Sequence, residues 1–210
     1  MERIICLIIG YVFGLFQTGY FVGKLNHVDI RKEGSGNSGS TNALRVLGMK
    51  AGLMTFAGDV LKCVLAILLI RLIFADSEYL PLLSMYTGAG VTLGHNYPFY
   101  LHFKGGKGIA VLAGLVLSTR LWMVPIPLAA FIFVVAVTRY VSAGSLLVTI
   151  LFLGEVVYFG QTGGFSMAQP YLYELYLVTF LLMALAWWRH RANIKRLLQG
   201  TENKIGSSKK

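Results

Sequence analysis

The sequence predicts an all-α integral membrane protein: a bundle of about seven transmembrane helices, some short or broken, with the N-terminus outside and the C-terminus cytoplasmic. Three observations carry this expectation. Hydrophobic residues make up 56% of the 210 residues and charged residues only 13%, against about a quarter charged in soluble domains. The apolar residues gather into runs close to the ~20 residues a helix needs to cross a bilayer. The basic residues fall between and after those runs, which reads first as membrane topology. The net charge of +10 therefore calls for lipid or anionic substrate and not for nucleic acid.

The runs follow in order. Residues 4–23 carry no charge between Arg3 and Lys24, and Gly10, Gly14, Gly19 and Gly23 provide the small steps that let helices approach closely. The second run, 53–74, is interrupted by Asp59 and Lys62, an i, i+3 pair at membrane depth. It reads equally as a functional pair or as a structural brace. The third covers 80–100. The fourth, 109–119, is too short to cross unaided. The fifth, 121–138, has Pro125 and Pro127 in its first turns. The sixth covers 141–160 and the seventh 170–188. One domain, 1–206, accounts for these runs, with 207–210 as a loose tail. No cleavable leader precedes the first run, so the N-terminus is expected to be retained. Cys6 and Cys63 both lie inside apolar runs and imply no disulfide.

Basic residues orient the bundle. With the N-terminus outside, fifteen of the 19 Lys and Arg residues fall on the inner side. Arg3, Arg71 and Arg120 fall outside, and Lys62 lies within a span. Trp187 and Trp188 before Arg189 suit an anchor at the inner interface.

This orientation gathers three polar segments on the inner face. Residues 34–42 read Gly-Ser-Gly-Asn-Ser-Gly-Ser-Thr-Asn, followed by Arg45. Glycines there can turn backbone N–H groups towards one anion, and Ser35, Gly36, Asn37, Ser40, Thr41 and Asn42 add polar contacts. The plain alternative is a loop with a helix cap at Thr41 or Asn42. Gly34, Gly36 and Gly39 match G-x-G-x-x-G, but no strand precedes them, so no dinucleotide fold is implied. The second segment contains Gly94-His-Asn-Tyr-Pro-Phe99 and Phe103-Lys-Gly-Gly-Lys-Gly108. Lys104, Gly105, Gly106, Lys107 and Gly108 open the short fourth helix, a loop-then-helix arrangement suited to phosphate, although the Walker spacing is absent. The alternative is a basic turn. The third segment runs from His190 through Asn193 to Arg196 and on to Gly200-Thr-Glu-Asn-Lys204. His190 and Asn193 share a helix face, and the alternative is a juxtamembrane basic helix. Ser142, beside Arg139 in an inner turn, could join the same site. The four histidines are scattered and show no zinc-binding spacing, so neither a metal nor another cofactor is expected. A nucleophile-elbow serine is absent as well.

Together these motifs resemble the bacterial acyl-phosphate:glycerol-3-phosphate acyltransferases, the PlsY family. The resemblance runs from the first span to about Gly206. Ser38 and Ser40 stand where the family more often has Ile and Ala. The resemblance implies transfer of a fatty acyl group from acyl phosphate to the 1-hydroxyl of glycerol 3-phosphate, without acyl-CoA or acyl-carrier protein. It also implies a multi-pass protein of the bacterial inner membrane, taken to be a monomer, whose site faces the cytoplasm. Acyl phosphate is an activated anhydride, so the protein mainly has to position and neutralise. The expected roles are phosphate binding by Arg45 and Lys104, backbone and hydroxyl contacts from 35–42 and 105–108, orientation of glycerol by Asn193, and orientation or deprotonation of its hydroxyl by His190. Ser35 and Lys104 are expected beside them at the reacting centre. No His is followed by Asp at the H-x-x-x-x-D spacing of acyl-CoA-type glycerolipid acyltransferases. The rival class is a carrier or channel for a phosphorylated metabolite, which would call for polar residues through the bundle and inverted repeats.

Overall fold

The computed structural model describes residues 1–206; the expected tail at 207–210 lies outside the described residues. Ten α-helices and no strands occur among them: α1 (Glu2–Gly14), α2 (Thr18–Leu25), α3 (Ser40–Leu47), α4 (Met49–Ile73), α5 (Leu80–Asn96), α6 (Ile109–Thr119), α7 (Pro125–Thr138), α8 (Val141–Gln161), α9 (Gln169–Arg189) and α10 (Arg191–Leu198). Five stretches are long and apolar enough to cross a membrane: Glu2–Leu25, Met49–Ile73, Leu121–Thr138, Val141–Gln161 and Gln169–Arg189. The apolar α6 is shorter. α5 ends at Asn96, four residues before the expected end of the third run, and a 3₁₀ turn at Phe99–Leu101 follows. α3 and α10 are short helices with high polarity on one side, which connect spans rather than forming them.

The first apolar run is broken between α1 and α2, and polar side chains compensate the break. Gln17 is fully buried and donates its amide to Gly14 O (3.1 Å) and to His95 O (3.0 Å) on α5. Lys62 on α4 donates to Phe16 O at 2.7 Å. Carbonyls freed from a helix in a membrane must find donors inside the protein, because no water is available there.

α1 lies against α5 through glycines on both helices. A Cβ at Gly14 would come within 2.9 Å of Gly94 Cα, and one at Gly90 within 3.0 Å of Gly10 Cα. Any side chain at these positions would push the backbones apart, so the small steps in the first run serve direct helix contact. At the far end of this pair Arg3 Nε meets Glu174 Oε1 at 2.5 Å, and Tyr86 donates to the same carboxylate at 2.7 Å. The apolar core joins α4, α5, α6, α8 and α9 around Ile67, Met85, Leu115, Phe152 and Leu175.

A polar cleft built on four helix starts

A cleft of about 360 Å³ opens at the end of the bundle where α4 begins and α9 ends. All three polar segments reach it. Ser35, Asn37, Ser40, Thr41, Asn42 and Arg45 line it from the first segment, Lys107 and Gly108 from the second, and His190 and Asn193 from the third; Ser142 joins them. Gly36, Lys104, Gly105 and Gly106 are not part of its wall.

Helix starts surround this space. Ser40 and Thr41 belong to the first turn of α3, Ile109 and Ala110 to that of α6, Val141 and Ser142 to that of α8, and Asn193 to that of α10. Each start has N–H groups without intrahelical partners and a partial positive charge. Four of them around one cleft, with Lys107, Arg45 and Arg196 on the wall, make a strongly anion-attracting site. Its carboxylates are already engaged: Asp59 pairs with Lys62 at 2.8 Å, and Glu202 with Arg196 at 2.7 Å.

In the first segment Asn42 acts as an internal tie. Its Oδ1 accepts from Ser35 N at 2.8 Å, and its Nδ2 donates to Ile30 O (2.8 Å) and Glu33 O (3.0 Å). The helix cap falls at Gly39, not at Thr41 or Asn42, because the Asn42 side chain is spent on folding the loop back. Gly34 and Gly36 both have positive φ, which a glycine adopts without strain.

The second segment is arranged differently from the sequence expectation. The Gly105 and Gly106 amides donate to Asn96 O and His95 O at 3.2 and 3.1 Å, so they cap α5. Arg189 grips their carbonyls, donating to Gly106 O at 2.8 Å, and stacks over Tyr97. These glycines are small because a Cβ at Gly106 would collide with the His95 ring. Lys104 is exposed beside them. Lys107 instead turns inward and donates to Asn193 Oδ1. Burial pushes its ammonium down to about 8, opposed by Glu202 and deepened by the charges of Arg196, Arg189 and Arg45.

The third segment supplies an imidazole of defined tautomer. His190, 3% exposed, contacts Ala186 O through Nδ1 at 2.7 Å. A carbonyl can only accept, so Nδ1 carries the hydrogen and Nε2 holds the free lone pair. Burial lowers its pKa to about 4, and the Lys107 charge adds to the shift. The imidazole is therefore neutral at neutral pH. Glu202 is the hub of this wall: it accepts from Asn193 Nδ2 (2.7 Å), Ser142 Oγ (3.1 Å) and Arg196 Nε (2.7 Å). Residues 199–206 form a strap after α10 that carries Glu202, and Arg139 fastens it by donating to Ile205 O at 2.8 Å.

Asp59 and His95 also line the cleft. Asp59 Oδ1 accepts from Thr18 at 3.0 Å and Lys62 at 2.8 Å, and Lys62 Nζ lies 2.9 Å from His95 Nδ1. An ammonium only donates, so His95 accepts at Nδ1 and carries its hydrogen on Nε2. Sequence reasoning singled out Asp59 and Lys62 but not their convergence with His95, and it gave Glu202 no role. Glu202 is the one acidic residue in the basic C-terminal stretch, a signal that was there to be read.

Known proteins share this sequence and this fold. The profile of the family described as glycerol-3-phosphate acyltransferase matches residues 4–200. A glycerol-3-phosphate acyltransferase of Clostridioides difficile (strain 630) is 44% identical over 98% of this chain and 97% of its own. One of Thermoanaerobacter pseudethanolicus is 38% identical with the same coverage. The crystal structure of PlsY (YgiH), an integral membrane glycerol 3-phosphate acyltransferase in its glycerol 3-phosphate form, superposes with a TM-score of 0.83 at 32% identity, covering 98% of this chain and 96% of that one. Its lysophosphatidic acid form superposes with a TM-score of 0.81. The chain belongs to the glycerol-3-phosphate acyltransferase family, as an integral membrane acyltransferase of the PlsY type.

Proposed function

We propose that this acyltransferase moves a fatty acyl group from acyl phosphate to the 1-hydroxyl of glycerol 3-phosphate, releasing phosphate and lysophosphatidate. The observation that carries the reading is the ring of four helix starts around one cleft with Lys107 on its wall. Both substrates bring phosphate, and such a ring binds anions without a metal. The PlsY structures determined with glycerol 3-phosphate and with lysophosphatidic acid support the acceptor and the product.

The cleft also has an apolar flank. Leu53 and Phe56 of α4 and Phe131 and Val135 of α7 line it. A fatty chain lying there would leave its carbonyl among the polar walls. In this reading His190 Nε2 takes the proton of the 1-hydroxyl. The hydroxyl oxygen bonds to the acyl carbon, the bond from that carbon to the phosphate oxygen breaks, and phosphate leaves as the anion. Lys107, Arg45 and the α6 start hold the charge that develops on it. Asn193, fixed by Glu202 and Lys107, orients the glycerol. Ser35, Asn37, Ser40, Thr41 and Ser142 supply further contacts.

The cleft opens to the cytoplasm in this reading, on the inner membrane of a bacterium, because basic residues crowd the same end of the bundle. The test is direct. Purified protein in detergent receives synthetic acyl phosphate and labelled glycerol 3-phosphate. Lysophosphatidate should form without CoA or carrier protein. Product that appears only when acyl-CoA replaces acyl phosphate would overturn the donor, and no product with either would overturn the reaction.

A further inference from the structure

A second cavity, of about 540 Å³, lies between the last turns of α4 and α6 and the first turn of α5. It sits at the opposite end of the bundle from the cleft: Met49 lines the cleft and Arg71 lines this cavity, which puts about 33 Å of helix between them. Arg71 and Arg120 both line it. Each uses only part of its donor capacity on the protein. Arg71 donates to Ser118 O, and Arg120 Nη2 donates to Gly164 O at 2.9 Å. A guanidinium has five N–H donors.

No carboxylate balances either charge. Among the described residues Arg71 and Arg120 form no ion pair. Asp76 and Glu78, in the α4–α5 connection, are exposed and are not part of the cavity wall. Arg3 is the contrast, since it has its own carboxylate in Glu174. Two like charges thus share one partly buried cavity at the end of a membrane bundle, where unpaired charge is expensive. Leu117 and Leu121 on the wall are exposed, and beside the wall Trp122 stands outward with Arg120 stacked on its ring at 5.7 Å. An exposed tryptophan beside arginine is the arrangement of a headgroup-level interface.

We propose that Arg71 and Arg120 together bind the phosphate of an anionic phospholipid headgroup, whose chains run along Leu117 and Leu121. A phosphate diester fits the donor pair, and the exposed leucines favour a lipid over a free anion. This site is separate from the acyl-transfer cleft and does not depend on the reaction assigned there.

Full-length protein, delipidated in an uncharged detergent, is mixed with phosphatidylglycerol, phosphatidylcholine or inorganic phosphate and read by native mass spectrometry. Phosphatidylglycerol should stay bound in preference to phosphatidylcholine. Each arginine removed should weaken it by about fivefold. R71Q/R120Q should lose the saturable adduct while acyl transfer is unchanged. R71K/R120K should keep the adduct, which separates lost charge from lost fold. Equal retention by R71Q/R120Q and the parent would overturn the site. Inorganic phosphate that binds as tightly as the lipid, and is lost in R71Q/R120Q, would overturn the lipid assignment in favour of a free-anion site.

Discussion

Asn193 donates its amide N–H to Glu202 Oε1 at 2.7 Å and accepts from Lys107 on its amide oxygen. One side chain thereby ties the start of α10, the C-terminal strap and the loop before α6 into a single wall. Glu202 takes one of the two amide N–H groups and Lys107 one lone pair of the oxygen, which leaves one donor and one acceptor position of Asn193 for substrate. In the proposed reaction an arriving phosphate gives Lys107 a better partner than a neutral amide, and would free the second acceptor position of Asn193 as well.

This coupling predicts that Glu202→Ala costs both fold and activity. Three donors lose a charged acceptor, and hydrogen bonds to charged groups contribute about 1.5–3 kcal/mol each at most. Arg196 is partly exposed, so its share is discounted for solvent screening, and the two buried donors set the loss at about 3–6 kcal/mol. Thermal unfolding in detergent reads it. Glu202→Gln should keep much of the stability but lower kcat. A Glu202→Ala protein with parental stability and rate would show that the strap is incidental.

Lys104 and Lys107 should separate cleanly. Lys107 lines the cleft and Lys104 does not. Lys107→Ala should lower kcat/KM by about 10²–10³, the scale of losing one charge-stabilising donor. Lys104→Ala should have a much smaller effect, confined mainly to KM. The reverse ranking, measured with purified variants, would move the phosphate to the outer edge of the loop.

The rate should be bell-shaped in pH. In the proposed reaction His190 must be neutral to take a proton, and it is neutral above about 4. Lys107 must be charged to hold phosphate and is charged below about 8. Hence kcat/KM should rise with pH through about 4 and fall through about 8. His190→Gln should remove most of the rate, and the residual activity should lack the acid limb. Stability has its own sign. His190 titrates lower folded than its ordinary 6.5, so the unfolded chain gains a proton first as pH falls. Its contribution is complete above about 6.5 and is lost between about 6.5 and about 4.

The buried Asp59–Lys62 pair should behave as a brace whose halves need one another. Both are almost fully buried. Lys62→Met leaves Asp59 uncompensated and should cost about 3–5 kcal/mol, whereas the double variant Asp59→Asn/Lys62→Met should recover part of that loss. Lys62→Met also frees His95 Nδ1 and the Phe16 carbonyl. Stability curves of Lys62→Met, Asp59→Asn and the double variant test the pair, and additive losses would contradict the coupling.

Much of this was legible along the chain, and for physical reasons. Span 109–119 matches α6 in both bounds, because glycines before it and a charged residue after it leave the helix no latitude. The glycine steps of the first run become the α1–α5 contact, because only a missing Cβ allows backbones that close. The break at Leu15–Gln17 was not legible: Gln17 and Thr18 interrupt the apolar run, but two polar residues do not by themselves end a span, and what stabilises the break is Gln17 and Lys62 reaching across from and to other helices.

The sequence by itself determined the membrane class, the approximate helices and the chemistry at one end, since transfer free energies and helix propensities act on neighbouring residues. Only the tertiary structure decided which lysine turns inward, which glycine amides are spent on α5, and that Glu202 joins residues 60 positions apart in chain order at Ser142. Those choices depend on which donor finds which acceptor after the helices pack, and that pairing is a property of distance in space, which spacing along the chain does not encode.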